Sequence, residues 1–282
     1  MDRFRQFAID TQTFCAPLPL IVEASKAAGF DAIDIGVKDT DVLLGGAAEA
    51  ADLVDQLDIK VPTFQLLRDY EGSGETRAER LEEAEILMDA MIEIGAKTLL
   101  MCANTNPASS ADTSEQIKDL RVLADLARTK GVQVGFEPLA WSQWINDYQQ
   151  AIACVEAVDH PCLGLVLDVF HLFSHKTSLA VLDQIDIDKL FAVQLSNAVS
   201  MPLPTIEIAR HHRLFPDQGE WPVAEVVQRV EARGYRGCYS IEVFNDAYKK
   251  QDPFVVAKRA HASLVNLFSP SEAELLASAY PT

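Results

Sequence analysis

Eight times along this chain a short apolar run gives way to a polar break and then to an amphipathic helix pattern. FAIDTQ leads into LPLIVEASKAAGF, AIDIGV into AAEAADLVDQL, KVPTFQLL into RAERLEEAEILMDAMIEIGA, and TLLMCAN into EQIKDLRVLADLARTKG. VQVGFEPLA leads into YQQAIACVEAVD, LGLVLDVFH into a weaker helical stretch around SLAVLDQI, LFAVQLSNA into PVAEVVQRVEARGY, and CYSIEVFN into PFVVAKRAHASLVNLF. The strand segments are continuous apolar runs, the pattern of parallel strands covered on both faces. Helix patterns stop at Gly29, Gly95, Gly131 and Gly234. Eight such units fit an α/β chain closed into a (β/α)8 barrel, which takes about 250 residues. An open doubly wound sheet would call for a glycine-rich dinucleotide loop or a switch-point ligand, and no GxGxxG is present. The expected organisation is one barrel domain over 1–268 and a tail over 269–282 that packs outside it or frays.

The bulk properties narrow the partners. A formal net charge of -18 over 282 residues repels nucleic acid phosphates and anionic membranes. It leaves room for a small anionic substrate, because a few local cations reverse the sign inside one pocket. The five cysteines (Cys15, Cys102, Cys154, Cys162 and Cys238) are scattered without a CxxC pair, as reduced thiols in a cytoplasm-like compartment would be. No apolar run reaches membrane-spanning length, and MDRFRQFAID lacks the apolar segment of a signal peptide. A cytoplasmic protein is expected. The exposed helical ring of a barrel leaves room for dimers or tetramers.

Chemistry in such a barrel sits at the C-terminal ends of the strands. Strand five ends at Glu137, strand six carries Asp168 and His171, strand seven carries Gln194 and strand eight Glu242. Four consecutive strands thus bring one oxygen donor each to the same end: three carboxylates and one amide. Three gathered carboxylates repel one another unless some take up protons or a cation joins them. Four oxygen ligands without His or Cys favour Mg²⁺, Mn²⁺ or Co²⁺ over a structural zinc. In VQLSNA the neutral amide of Gln194 would complete the site without a fourth negative charge. The bland alternatives are loop residues and caps: Asp168 alone reads equally well as an N-cap. The alignment of FEPLAW, LDVFH, VQLSN and IEVFN at one depth is what independent caps would not produce.

The segment IEIARHHRLFPDQGEW after strand seven concentrates Arg210, His211, His212 and Arg213 in an otherwise acidic chain. It reads either as a solvated basic turn or as an anion clamp, since arginine binds carboxylates and phosphates bidentately. Arg68 in RDYEGSGE adds a second cation, with Gly72 and Gly74 as candidate hinges, and Trp141 and Trp144 either wall the pocket or simply pack.

At EPLAW, LDVFH, VQLSNA, RHHRLFPDQGE and GYRGCYSIEVFND the chain resembles the xylose-isomerase-like barrel superfamily, and within it 3-dehydroshikimate dehydratases. RDYEG adds to the likeness, which covers nearly the whole barrel and is strongest from strand five to strand eight. The resemblance implies a divalent metal on Glu137, Asp168, Gln194 and Glu242. It also implies His171 near the substrate as an acid/base and Arg68 and Arg213 holding the substrate, with Trp141 beside it. The implied reaction is dehydration of a small anionic hydroxy-ketone, 3-dehydroshikimate, to protocatechuate through an enediolate. His171 would be the base, with Glu137 the alternative; a histidine three residues after Asp168 would equally serve only to orient a ligand.

Several positions depart from the family pattern. Ala209 stands where a serine is usual, Asp217 where a glycine is usual, and LSN where LAD is usual. These changes spare the metal positions and bear on the substrate. Some relatives carry a further dioxygenase-like domain, and this chain is expected to lack one. The alternative reading is a sugar or keto-acid isomerase or epimerase, hydroxypyruvate isomerase-like, which uses the same enediolate chemistry without loss of water. An endonuclease IV-like enzyme would need histidine ligands and a basic groove, and a non-catalytic metabolite sensor would have no use for an intact ligand set.

Overall fold

The computed structural model describes residues 5–40 and 46–268. The expected tail over 269–282 lies outside the described residues. Eight parallel strands close into one barrel in sequence order. They are β1 (Gln6–Asp10), β2 (Ala32–Gly36), β3 (Thr63–Leu67), β4 (Thr98–Cys102), β5 (Gln133–Glu137), β6 (Leu163–Asp168), β7 (Leu190–Leu195) and β8 (Cys238–Ile241). The principal crossovers are α1 (Leu18–Ala28), α3 (Ala47–Gln56), α4 (Arg77–Ile94), α5 (Thr113–Lys130), α6 (Tyr148–Val158), α9 (Val223–Ala232) and α10 (Pro253–Asn266). Short helices α2 (Val37–Thr40), α7 (Val169–Ser174) and α8 (Thr205–His211) sit over the strand C-termini. The apolar runs therefore became parallel strands and the (β/α)8 expectation holds. α1, α4 and α5 each end on a left-handed glycine (Gly29, Gly95 and Gly131), the geometry a glycine C-cap supplies at no Cβ cost.

Two local expectations are corrected. SLAVLDQI does not make an α-helix; Leu179–Gln184 form a 3₁₀ helix capped by Ser178. The segment after β7 is not all loop either, because Thr205–His211 fold into α8 behind Pro204.

Most of the core lies between strands and helices, with Phe64, Leu99, Val134, Leu165, Val193 and Ile241 turned outward onto the helix ring. The barrel interior is filled by separate small clusters. Ala8, Ala32 and Cys238 form one, and Leu100, Cys102, Val166 and Ala192 form another beneath Leu139, Leu66 and Trp141. Pairing register brings the functional strand ends level: Cys102 lies opposite Glu137, Asp168 opposite Gln194, and Asp10 opposite Asp34. Glu242 follows β8 directly, its N–H donating to Leu195 O at 3.2 Å. The register shifts between β3 and β4 at Gln65–Leu67, an irregularity of the kind that re-aims side chains near sites.

The interior tolerates little added volume. Gly135 and Gly164 lie in register on β5 and β6. A methyl on Gly164 would collide with Lys189 O and come within 2.6 Å of the Phe191 ring. Gly164→Ala is therefore expected to destabilise the protein by about 2 kcal/mol, the usual cost of overpacking, read as a shift in the urea unfolding midpoint.

Candidate active site

The ends of β5 to β8 deliver Glu137, Asp168, Gln194 and Glu242 to one buried layer. The end of β6 is pinned by Tyr148 at the start of α6. Its hydroxyl accepts the Asp168 N–H at 2.7 Å and donates to Val166 O at 3.1 Å. Asp168 serves in two ways. Its Oδ1 accepts the Phe170 N–H at 2.8 Å and caps α7, so the capping reading is correct. Its Oδ2 faces inward, 2.8 Å from Arg213 Nη1 and 3.4 Å from His171 Nε2.

Arg213 ties the layer together. Its Nη1 also donates to Glu242 Oε2 at 2.9 Å, and its Nε to Ala209 O at 3.0 Å. The guanidinium carbon lies 4.5 Å from the Phe170 ring centroid and 5.0 Å from that of Phe244. The side chain is buried, and its single cation is shared between the two carboxylates it bridges. It lines the cavity, as the expected substrate-holding role requires, and in this arrangement it also contacts two of the four oxygen-donor residues. The two histidines of the same segment do not join it. His211 Nδ1 lies 3.1 Å from Asp246 at the protein surface, and neither His211 nor His212 lines the cavity. Adjacent residues on a helix end point apart, so of the anticipated clamp only Arg210 and Arg213 face the site.

Glu137, Asp168 and His171 place one ligand atom each within 4.8 Å of one another. Burial first, then the charges of Asp168 and Glu242, hold the Glu137 carboxyl well above the ordinary range. Burial also lifts Glu242 to about 8, Arg213 opposing it and Asp168 adding to it. The Cys102 thiol donates to Glu137 Oε2 at 3.1 Å, a partner the sequence pattern did not single out.

His171 departs from the expected base. Its Nδ1 accepts the Ala140 N–H at 3.0 Å, so the neutral ring carries its proton on Nε2. That proton faces Asp168 and, at 3.8 Å, Glu137. Burial lowers the pKa to about 3, with Asp168 acting the other way, which keeps the imidazole neutral. A neutral ring with Nε2 protonated points its N–H toward the carboxylates and has no lone pair there to accept a proton. The orienting role is the one the geometry fits.

Gln194 provides the test of whether these residues suit a cation. Its Nε2 donates to Glu242 Oε1 at 3.1 Å and to Gln65 Oε1 at 3.2 Å. Its Oε1 is buried and has no hydrogen-bond partner among the described residues. A buried carbonyl oxygen beside three buried carboxylates lacks positive charge, and a divalent cation supplies it. The donor set therefore fits such an ion.

Above the layer opens a cavity of about 500 Å³. Trp141, half-buried, walls it, the ring centroid 5.0 Å from that of His171. Arg68, exposed, lines it too, with Lys38, Arg210 and Lys249, so cations outnumber the acids around the opening. Trp144 lies apart, donating from Nε1 to Ser109 O at 3.0 Å. Gly72 is no hinge: its N–H donates to buried Asp119 at 3.0 Å, and a Cβ there would meet the Ser110 backbone at 3.0 Å.

The fold and the strand-end donors define a (β/α)8 protein whose chemistry lies at the C-terminal mouth of the barrel. Residues 22–266 match the family model described as xylose isomerase-like TIM barrel, and the chain belongs to that family. It is 36% identical over 245 residues to a 3-dehydroshikimate dehydratase of Pseudomonas putida, an alignment covering 86% of this chain and 39% of that protein. The chain thus spans well under half the length of that relative. Among solved structures, a xylose isomerase-like TIM barrel/4-hydroxyphenylpyruvate dioxygenase fusion protein superposes with a TM-score of 0.91 at 34% identity, over 99% of this chain and 45% of that one. The IOLI protein with a binding zinc atom superposes with a TM-score of 0.83 over 98% of this chain and 100% of its own, at 20% identity, a likeness of fold.

Asp34 on β2, opposite Asp10, is fully buried. Burial raises its carboxyl from 3.8 to about 6, with nearby Ser240 and Thr63 pulling the other way. The folded protein thus holds this proton more tightly than the unfolded chain does. Stability from this group is present at low pH and is lost as pH rises through about 6. Asp34→Asn is expected to gain up to about 3 kcal/mol relative to the parent above pH 7, at about 1.4 kcal/mol per pKa unit, and little at pH 4. Urea unfolding in EDTA at the two pH values checks it; a gain independent of pH would contradict it.

Proposed function

We propose that the protein is a metal-dependent 3-dehydroshikimate dehydratase, releasing protocatechuate and water from a cyclic hydroxy-ketone acid. The observation that carries this is the unpartnered, buried Oε1 of Gln194 among three buried carboxylates, beneath a cavity whose rim is cationic. The Pseudomonas putida relative's name supplies the substrate.

Glu137, Asp168, Gln194 and Glu242 would hold Mg²⁺, Mn²⁺ or Co²⁺. Such an ion would supply Lewis-acid polarisation of a ketone oxygen, which would acidify the adjacent C–H. The rim cations Arg68, Arg210, Lys38 and Lys249 receive the substrate carboxylate and offset the acidic field of the chain. Trp141 closes one wall against the ring. Glu137 faces the cavity next to the His171 Nε2–H and takes the α proton. The proton it gains passes to the departing β-hydroxyl, which leaves as water, so one carboxyl serves both halves of the elimination. His171, neutral and fixed by Ala140, holds the Asp168 and Glu137 carboxylates in place. A cytoplasmic setting accords with the free thiols and with the finding that no helix among the described residues is long and apolar enough to cross a membrane.

Incubation of the purified protein with 3-dehydroshikimate and each of the three ions, with an EDTA control, tests the reading. Protocatechuate, followed by its ultraviolet absorbance, is expected with metal and absent with EDTA. Glu137→Gln should lower kcat by roughly 100-fold or more, as loss of a general base does. Absence of product with every ion would overturn the substrate assignment and favour an isomerase or epimerase.

A further inference from the structure

Gln65 and Asp10 have no part in the reaction as described, yet they sit directly behind it. Both are buried. Glu242, ionised as a cation ligand must be, can only accept hydrogen bonds through Oε1. The Gln194 group 3.1 Å from that oxygen is therefore its NH₂. The same logic applies one residue further back. The end of Gln65 that faces Asp10 Oδ2, and lies 3.4 Å from Glu242 Oε1, is also an NH₂. Gln65 Oε1 is left to accept from Gln194 Nε2 at 3.2 Å. Asp10 is itself fixed, its Oδ1 accepting the Gln12 N–H at 2.5 Å. Every amide hydrogen of the pair has an acceptor, and one polar atom is left over: Gln194 Oε1, turned away from all of them.

We propose that Gln65, anchored by Asp10, is a positioning residue that sets which end of the Gln194 amide faces the cation. The proposal rests on the reading of this layer as a divalent-cation site. A terminal amide rotates between two nearly isosteric orientations, and only one presents oxygen; the other would aim an NH₂ at the ion. Without Gln65, Gln194 keeps one of its two acceptors, and the preference between the orientations weakens.

The test measures cation binding directly. Chelator-stripped protein is titrated calorimetrically with Mn²⁺ in the absence of substrate. Gln65→Met, of similar length but without the amide, should weaken binding ten-fold or more, within the range usual for loss of a partner behind a metal ligand. Gln194→Glu presents an oxygen whichever way its end group turns, so on that background Gln65→Met should shift the dissociation constant less than about two-fold, the signature of coupling through one residue. Unchanged affinity in Gln65→Met overturns the proposal, and so does a ten-fold loss that persists with Gln194→Glu, because packing alone would produce it. Failure of the unsubstituted protein to bind Mn²⁺ would overturn the cation site itself, a distinct result. Should Gln65→Met not fold, Gln65→Asn keeps a polar amide beside Asp10 but is one methylene too short to reach Gln194, and serves the same comparison.

Discussion

The mutual repulsion of buried carboxylates at the mouth of the barrel is the constraint on which the rest of the site depends. Glu137, Asp168 and Glu242 share one layer, with Asp10 and its register partner Asp34 also buried nearby. Two like charges roughly 4 Å apart repel by about 4 kcal/mol even at an effective dielectric near 20. No stable fold carries several such contacts uncompensated. The compensation is local and layered. Arg213 takes Asp168 and Glu242, backbone N–H groups take Asp168 Oδ1 and Asp10 Oδ1, and Cys102 takes Glu137. What remains is a shortage of positive charge, visible as raised carboxyl pKa values and as an amide oxygen with nothing to accept. A divalent ion would make good that shortage, and the electrophilic chemistry proposed for it would follow from the same charge.

This view explains why the interior uses amides where it does. A fourth carboxylate at position 194 would add repulsion to a site already short of cations, whereas Gln194 offers oxygen on one side and two hydrogens on the other. Gln65 repeats the device one step deeper. Between Asp10 and Glu242 its NH₂ serves two acceptors while its carbonyl serves Gln194. Each amide converts an acidic neighbour into an ordered one without altering net charge. Neutral His171 acts similarly on the other flank, donating toward Asp168 and Glu137 while Ala140 fixes its tautomer.

The parts of this arrangement legible in the sequence are those that local pattern determines. Continuous apolar runs and left-handed glycine stops mark the strand–helix units, and the residue closing each run lies at the barrel mouth, so Glu137, Asp168, Gln194 and Glu242 stand out together. Asp10 and Gln65 belong to the same network but did not stand out. Asp10 precedes a polar break that looks like any turn, and Gln65 lies inside TFQLL, where a register irregularity aims it and Leu66 toward the site against simple alternation. The tautomer of His171 depends on a backbone N–H thirty-one residues away, which spacing does not encode. The segment holding Arg213 reads as a basic cluster, but only the turn of α8 decides that Arg213 enters the core while His211 meets Asp246 outside.

The charge of the whole chain and the charge of its cavity run in opposite senses, and the difference has a physical use. With a net charge of -18 the protein repels anions at long range, yet screening confines that field to about 10 Å in ordinary salt. Lys38, Arg68, Arg210 and Lys249 gather at the opening, where the low-dielectric wall carrying Trp141 and Leu66 strengthens their effect. Deeper in, the sign reverses again to the carboxylate layer. The proposed substrate, an anionic hydroxy-ketone, would leave its carboxylate at the cationic rim of this gradient and carry its uncharged ketone and hydroxyl groups inward. The order of charges along the cavity would thus orient such a molecule before any one contact forms, with the polarisable carbonyl, not the acid, next to the donors of the barrel mouth.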